Sequence, residues 1–192
     1  MSQRDAGQLR IIGGDWRRRL IAFNVKAGVR PTPDRVRQTV FDWLAPRIEG
    51  AACVDLFAGS GALGLEALSR GAAHVTFVER GTQQLADINA ALHTLGGGER
   101  ARLMQAEVLS WIGRPPQDPA FDIAFVDPPY AAGLLLPSLD ALRPWLKTDN
   151  RVYVEWPADQ TLALPQGYTW LREKKAGQVS FGLISCTQGE RV

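Results

Sequence analysis

The sequence predicts an α/β fold: a Rossmann-like, mostly parallel sheet with helices on both faces and an antiparallel hairpin at the end. Three observations carry this expectation. After Gly50, short apolar runs alternate with helix-period segments on the spacing of βαβ units. The first of those runs leads into a glycine-bearing loop, Gly59-Ser60-Gly61-Ala62-Leu63-Gly64. Near the end, Ala176-Gly177 separates two strand-like runs.

Taken in order, Gly13-Gly14 and Gly28 mark turns around Leu9 to Ile12 and Leu20 to Val25, two segments that can pair as a hairpin. Thr32 then reads as a helix N-cap with Pro33 at the first helical position. Val36, Val40, Trp43 and Leu44 recur on one face until Pro46, which leaves Arg35 and Arg37 off the apolar stripe. A strand from Ala52 to Phe57 follows, then a helix from Ala62 to Arg70 that Gly71 ends, and a strand from His74 to Glu79. Next come a helix from Thr82 to Leu95, a strand from Ala101 to Gln105, a short helix at Val108 to Ile112, and a strand from Phe121 to Asp127. Leu134 to Leu146 has helical character, and Arg151 to Trp156 reads as a strand. Tyr168 to Lys175 and Gln178 to Thr187 complete the pattern as the edge hairpin.

At 192 residues and 45% hydrophobic content the chain can bury one substantial core. It has no run long and apolar enough for a membrane span, and its first residues lack the apolar stretch of a signal peptide, so a cytoplasmic protein is expected. Cys53 and Cys186 lie in apolar runs without metal-ligand spacing and read as buried thiols. Charge divides unevenly. Residues 1–50 hold ten Lys/Arg against five Asp/Glu, and residues 51–192 hold twelve against fifteen. This suggests a basic N-terminal extension, 1–50, before a main domain, 51–192. Seven of the ten basic residues are arginines between Arg10 and Arg37, and guanidinium groups suit phosphate, so a polyanionic partner is expected.

The glycine loop literally matches G-x-G-x-x-G, which alone is a weak signal because a pyrophosphate or an adenosyl group could rest there. Asp55 favours the latter. A carboxylate at the strand end repels a pyrophosphate but can hold the ammonium of a methionine moiety. Glu79 ends the second strand, where it can accept from both ribose hydroxyls, and Glu107, after the third, can meet the adenine amino group. Phe57, Ala58, Gly59, Ser60 and Gly61 would line the same cofactor site.

The fourth strand delivers Asp127-Pro128-Pro129-Tyr130 at its carboxyl end, where open α/β sheets hold ligands. The Asp127 side chain and the Pro128 carbonyl are two acceptors, Pro129 stiffens the loop, and Tyr130 offers a face on which a base can stack. Two acceptors suit an exocyclic amine. They draw its conjugated nitrogen toward tetrahedral geometry, with the lone pair aimed at an electrophilic methyl, and Asp127 balances the charge that develops. No metal is needed for this chemistry. A base buried in a polymer must be flipped or splayed out to reach such a site.

These residues resemble the RsmD-type methyltransferases, which make N2-methylguanosine in bacterial small-subunit ribosomal RNA. The resemblance rests on Leu9-Arg10-Ile11-Ile12-Gly13-Gly14-Asp15-Trp16-Arg17, on Val29-Arg30-Pro31-Thr32-Pro33-Asp34-Arg35-Val36-Arg37-Gln38-Thr39-Val40-Phe41, and on the stretch from Asp55 to Gly71. Val126 to Tyr130 and Arg172 to Val179 complete it. It implies a class I S-adenosylmethionine-dependent methyltransferase with a seven-stranded sheet, and a guanine target in 16S RNA at the family's position 966. It also implies the small ribosomal subunit or a late precursor as partner and adds Arg80 to the cofactor site. A monomer is expected. In this picture Arg10, Arg17, Arg18, Arg19, Arg30, Arg35, Arg37 and Lys174 position the RNA, with Lys175 extending that surface, while the pocket at Tyr130 selects the base.

Rival readings are a DNA amino-methyltransferase, a protein-glutamine methyltransferase, and a non-catalytic RNA-binding assembly factor. The first lacks room for a separate target-recognition domain, and the second usually has Asn where Asp127 stands. The third has no need for Gly59, Gly61, Glu79 and Asp127 together. His74 and His93 lack a partner pattern that suggests catalysis, and the six tryptophans are scattered as packing residues would be.

Overall fold

The alternation after Gly50 becomes a seven-stranded sheet in the computed structural model, which describes residues 6–25, 31–114, 116 and 120–187. Its strands are β3 (Ala52–Asp55), β4 (His74–Glu79), β5 (Ala101–Gln105), β6 (Phe121–Val126), β7 (Leu146–Pro157), β8 (Tyr168–Ala176) and β9 (Val179–Cys186). A separate antiparallel hairpin pairs β1 (Ala6–Arg10) with β2 (Leu20–Asn24). The helices are α1 (Asp34–Leu44), α2 (Ala62–Ser69), α3 (Thr82–Leu95), α4 (Val108–Ile112) and α5 (Leu135–Leu142).

Sheet order is β5-β4-β3-β6-β7-β9-β8. The chain runs outward from β3 through β4 to β5, then crosses back to place β6 beside β3, all in parallel. That reversal opens a crevice at the carboxyl ends of β3 and β6. Alternate side chains feed two apolar layers. Cys53, Phe77, Phe125 and Tyr153 face the layer holding α1, α2 and α3, whereas Val54, Val78, Val126 and Val154 face α4 and α5. Runs buried on both faces explain why these strands read as continuous apolar stretches.

The structure refines some expectations and changes others. The final hairpin lies at one edge as expected, and the structure adds its order: β9 pairs with β7, antiparallel, and leaves β8 outermost. The helix expected to run to Leu146 stops at Leu142, because Pro144 lacks the amide that would continue it and a 3₁₀ turn, Arg143–Trp145, takes over. Leu146 then starts β7, five residues earlier than expected. At α1, Pro33 occupies the cap position and Thr32 is no cap.

Arg37 requires a larger correction. It is fully buried, on the same face of α1 as Val40, Phe41 and Leu44, and so cannot position RNA. Its guanidinium donates to the carbonyls of Thr32 (3.1 Å) and Arg10 (2.8 Å) and to the carboxylates of Asp34 (2.6 Å) and Glu66 (3.4 Å). Glu66, also fully buried, accepts the Ile12 and Gly13 amides at 2.8 Å each and pairs with Arg70 at 2.7 Å. Breaking one partner from such a network costs about 3–5 kcal/mol, because it strands the other charge.

This network pins the hairpin to α2, and Leu9, Ile11, Trp16, Ile21 and Phe23 join the core of the main sheet. The charge boundary near Gly50 is therefore a boundary of composition and not of packing. Cys53 and Cys186 are buried free thiols, and burial raises the pKa of each. Most tryptophans pack as expected, Trp170 being exposed: Trp111 stacks on Trp145 with ring centroids 4.4 Å apart, and Trp43 on Phe181 at 5.6 Å.

Candidate active site

At the crevice, β3 ends in Asp55 and the chain turns through Phe57, Ala58, Gly59, Ser60 and Gly61 into α2. Gly61 has φ +77°, a left-handed conformation that turns the loop into the helix at little steric cost. Gly64, one turn on, lies against β4 so closely that a Cβ there would be 2.2 Å from the Phe77 ring. The loop is held from the next strand. Glu79 accepts the Gly59 amide at 3.0 Å and the Gly81 amide at 2.8 Å, so one carboxylate fixes both the glycine loop and the start of α3.

Asp55 is buried and accepts the Gly64 amide at 3.0 Å. Burial pushes its pKa up to about 7; the Gly64 hydrogen bond opposes that rise and the charge of Glu79 adds to it. A buried carboxyl so placed is suited to a cation. Farther out, Arg80 and Glu107 form an exposed ion pair at 3.4 Å on the cleft wall.

Across the crevice, Asp127-Pro128-Pro129-Tyr130 follows β6. Pro129 leads into a 3₁₀ turn, Tyr130–Ala132, closed by the Ala132 amide on the Pro129 carbonyl at 2.9 Å. Asp127 has a pKa well above the carboxylate range, chiefly through burial and then through the charges of Glu155 and Asp55. The Thr32 hydroxyl, 3.4 Å from its Oδ2, opposes the shift. Tyr130 leaves 46% of its surface exposed, with its hydroxyl anchored on Glu155 Oε1 at 2.6 Å.

Asp55, the loop from Phe57 to Ser60, Glu79, Arg80, Glu107, the tetrapeptide Asp127 to Tyr130 and Glu155 line one cleft of about 1190 Å³, whereas Gly61, which turns the loop into α2, is not part of its lining. That volume exceeds the roughly 300–1,000 Å³ typical of a single small-molecule pocket and leaves space for two groups. Sequence reasoning missed two contributors. Thr32, taken for a helix cap, reaches Asp127 instead, and Pro31 and Pro33 line the cleft beside it. Glu155 is buried at the end of β7; its signal was a lone acid within an apolar run.

The basic residues fall into separate places. Lys174 and Lys175 are exposed near the tip of the β8–β9 hairpin, and Lys175, on the cleft wall, donates to the Ala158 carbonyl at 3.1 Å. Arg35 is exposed at the start of α1, two residues after Pro33. Arg17, Arg18 and Arg19 are exposed elsewhere. Their turn is tied to the carboxyl ends of α2 and α3, through Asp15 and Trp16 on Ser69 and Arg19 on the Thr94 carbonyl. The cleft takes the amino ends of those helices, and the 14 residues of α3 span about 20 Å. Arg10 is exposed at the end of β1, and Arg30 lies outside the described residues. Among the described residues, no helix is long and apolar enough to cross a membrane.

Comparison with known proteins places this architecture. A family model described as "Conserved hypothetical protein 95" matches residues 9–185. Ribosomal RNA small subunit methyltransferase D of Escherichia coli (strain K12) is 43% identical over 189 residues, which covers 96% of this chain and 94% of the relative. The protein of the same name from Haemophilus influenzae is 41% identical over 92% of this chain and 93% of its own. A solved structure, "Putative methyltransferase yhhF from Escherichia coli", superposes with a TM-score of 0.85 at 40% identity, covering 94% of this chain and 99% of that one. The chain has the class I methyltransferase fold and belongs to the Conserved hypothetical protein 95 family, the RsmD family, alongside proteins named ribosomal RNA small subunit methyltransferase D.

Proposed function

We propose that this chain transfers a methyl group from S-adenosylmethionine to the exocyclic N2 of a guanine in 16S ribosomal RNA, within the small subunit or a late precursor. One observation carries the reading. The glycine loop with its carboxylates, Asp55 and Glu79, and the tetrapeptide Asp127-Pro128-Pro129-Tyr130 face a single cleft from the two sides of the strand reversal. The names of the relatives support ribosomal RNA as the substrate.

The residues fit the cofactor. Asp55 is the buried acid that an ammonium group would neutralise, Glu79 offers acceptors for ribose hydroxyls, and Arg80 and Glu107 bound the outer end. When bound, S-adenosylmethionine supplies an electrophilic methyl on a sulfonium centre. Asp127 and the Pro128 carbonyl then accept the two N–H groups of the target amine, and Tyr130 stacks against the flipped base. Thr32 restrains Asp127 from the N-terminal side. Because burial and neighbouring acids raise the Asp127 pKa, transfer should speed up as pH rises and Asp127 loses its proton. The lost amine proton passes to Asp127 or to solvent after attack.

For RNA docking, Arg35, Lys174 and Lys175 serve the cleft side, while Arg17 to Arg19 meet phosphates away from it. Exposed Arg10 is assigned to RNA docking as well, and Arg30 is assigned from sequence alone because it lies outside the described residues.

The reading is tested by labelled methyl transfer to unmodified small subunits, naked 16S RNA, DNA and protein, followed by mass-spectrometric mapping of the product. N2-methylguanosine at one 16S position is expected. Label on DNA, protein or another base would overturn the proposal. Asp127→Ala should bind cofactor normally yet lose at least about 100-fold in kcat; near-normal turnover would refute the assigned mechanism.

A further inference from the structure

Glu155 raises the Asp127 pKa and anchors Tyr130 but touches no reacting group in the chemistry above, yet its surroundings are built with care. Only 6% of the residue is exposed, and among the described residues it forms no ion pair with Lys or Arg. Its two oxygens accept from two different tyrosines, Oε1 from the Tyr130 hydroxyl at 2.6 Å and Oε2 from that of Tyr153 at 2.7 Å. A buried carboxylate without a cation is costly unless donors satisfy it. Each of its oxygens has roughly two acceptor sites, so the tyrosines leave acceptor capacity unused.

Strand register places that capacity beside the proposed chemistry. Val126 on β6 pairs with Val154 on β7, so Asp127 and Glu155 are the next residues along adjacent parallel strands. By the alternation of strand side chains, both continue the face occupied by Phe125 and Tyr153, and both line the cleft. Asp55 stands on the same face of β3, opposite Phe125. The cleft thus presents one acceptor set at Asp127 and Pro128 and a second, carboxylate acceptor next to it.

Nucleobases differ at the position that would meet the second acceptor. In guanine the exocyclic amine is flanked by N1, which carries a proton, and by N3, which does not, so the base presents a donor on one side of the amine. In adenine and cytosine the ring nitrogen adjacent to the amine is an unprotonated acceptor, which a carboxylate would repel. We infer that Glu155 is the specificity-determining residue of this cleft, accepting the N1–H of a flipped guanine while Asp127 and Pro128 hold its N2 amine. The inference rests on the N2-guanine reading proposed above. It also assigns Tyr153 and the Tyr130 hydroxyl a purpose: they hold the carboxylate toward the base and keep it from turning into the core.

The test uses small subunits reconstituted with either guanine or 2-aminopurine at the mapped target. 2-Aminopurine keeps the 2-amino group but presents an unprotonated N1. The wild-type enzyme should prefer guanine by at least about 100-fold in kcat/KM, because a site built to accept a proton discriminates strongly against a base lacking it. Glu155→Gln, whose amide can donate to N1, should lose about tenfold or more on guanine and shift the guanine to 2-aminopurine ratio at least about tenfold toward 2-aminopurine. Cofactor affinity by calorimetry should match the wild type, which also reports that the variant folds. An equal loss on both bases, leaving the ratio unchanged, would reduce Glu155 to a packing residue and overturn the inference. Should the variant fail to fold, the wild-type ratio decides: near-equal rates on the two bases overturn the inference, and strong preference for guanine together with a reduced preference in Tyr153→Phe upholds it. Failure of the wild type to form N2-methylguanosine would instead remove the functional reading itself.

Discussion

Asp55 shows how burying one carboxyl can weaken a fold. Its folded pKa of about 7 lies above the ordinary 3.8, so the folded chain binds a proton that the unfolded chain has released. Stability from this group is full below pH 4 and is lost as pH rises through 7, a change of up to about 4 kcal/mol. Asp55→Asn should therefore be more stable than the wild type at pH 8 and close to it at pH 4, by chemical denaturation at each pH. The same acid should make cofactor binding tighten about tenfold from pH 6 to pH 8, since an ammonium ligand favours the ionised carboxylate. A flat profile in calorimetry would detach Asp55 from the ligand. Glu79 acts differently, because its carboxylate already holds the Gly59 and Gly81 amides. Glu79→Ala should weaken cofactor binding about tenfold or more, through lost ribose acceptors and a loosened loop. Unchanged affinity would end that assignment.

At the scale of elements, glycine sets how closely α2 approaches the sheet. A methyl at Gly64 would lie 2.2 Å from the Phe77 ring, so helix or ring must move. Gly64→Ala should cost about 1–3 kcal/mol by overpacking, and it should also weaken cofactor binding because α2 and the glycine loop shift together. Wild-type stability in a denaturant titration would show that the layer yields more easily than its packing suggests. Most elements were legible because their period and punctuation agree: α3 and α4 begin and end where the sequence predicts. Expectation and structure part where Pro144 ends α5 early and where a charged residue takes a core position. Arg37 was read as surface because arginine rarely lies inside, and its burial depends on Glu66, which comes from a helix 29 residues away.

Across the whole molecule, basic charge lies both near the cleft and on the side reached by the carboxyl ends of α2 and α3. Contacts with phosphate far from the reacting base add affinity without aiming it. Reversing the charges of Arg17, Arg18 and Arg19 should raise KM for small subunits and flatten its salt dependence, with kcat and the methylated position unchanged. A change in kcat instead would place this turn against the reacting nucleotide. The candidate site itself was legible in part. Asp55, Glu79 and Asp127 announced themselves because each ends or directly follows an apolar strand, where open α/β sheets hold ligands. Thr32 and Glu155 did not, since one mimicked a helix cap and the other sits inside a strand, and only assembly of β6 beside β7 under the α1 segment brings them to Asp127.

Period, glycine placement and strand-end acids are local properties, and they were enough to determine the α/β class and the order of strands and helices along the chain, and to single out the glycine loop and the tetrapeptide Asp127 to Tyr130 that the cleft brings together. Neighbourhood is not local. Placement of β9 beside β7, fusion of the N-terminal hairpin with the main core, burial of Arg37 and the pairing of Glu155 with Tyr130 and Tyr153 were decided by tertiary structure alone. Each depends on which distant segment supplies the opposing charge, hydrogen bond or apolar face, and that choice is made only when the chain closes on itself.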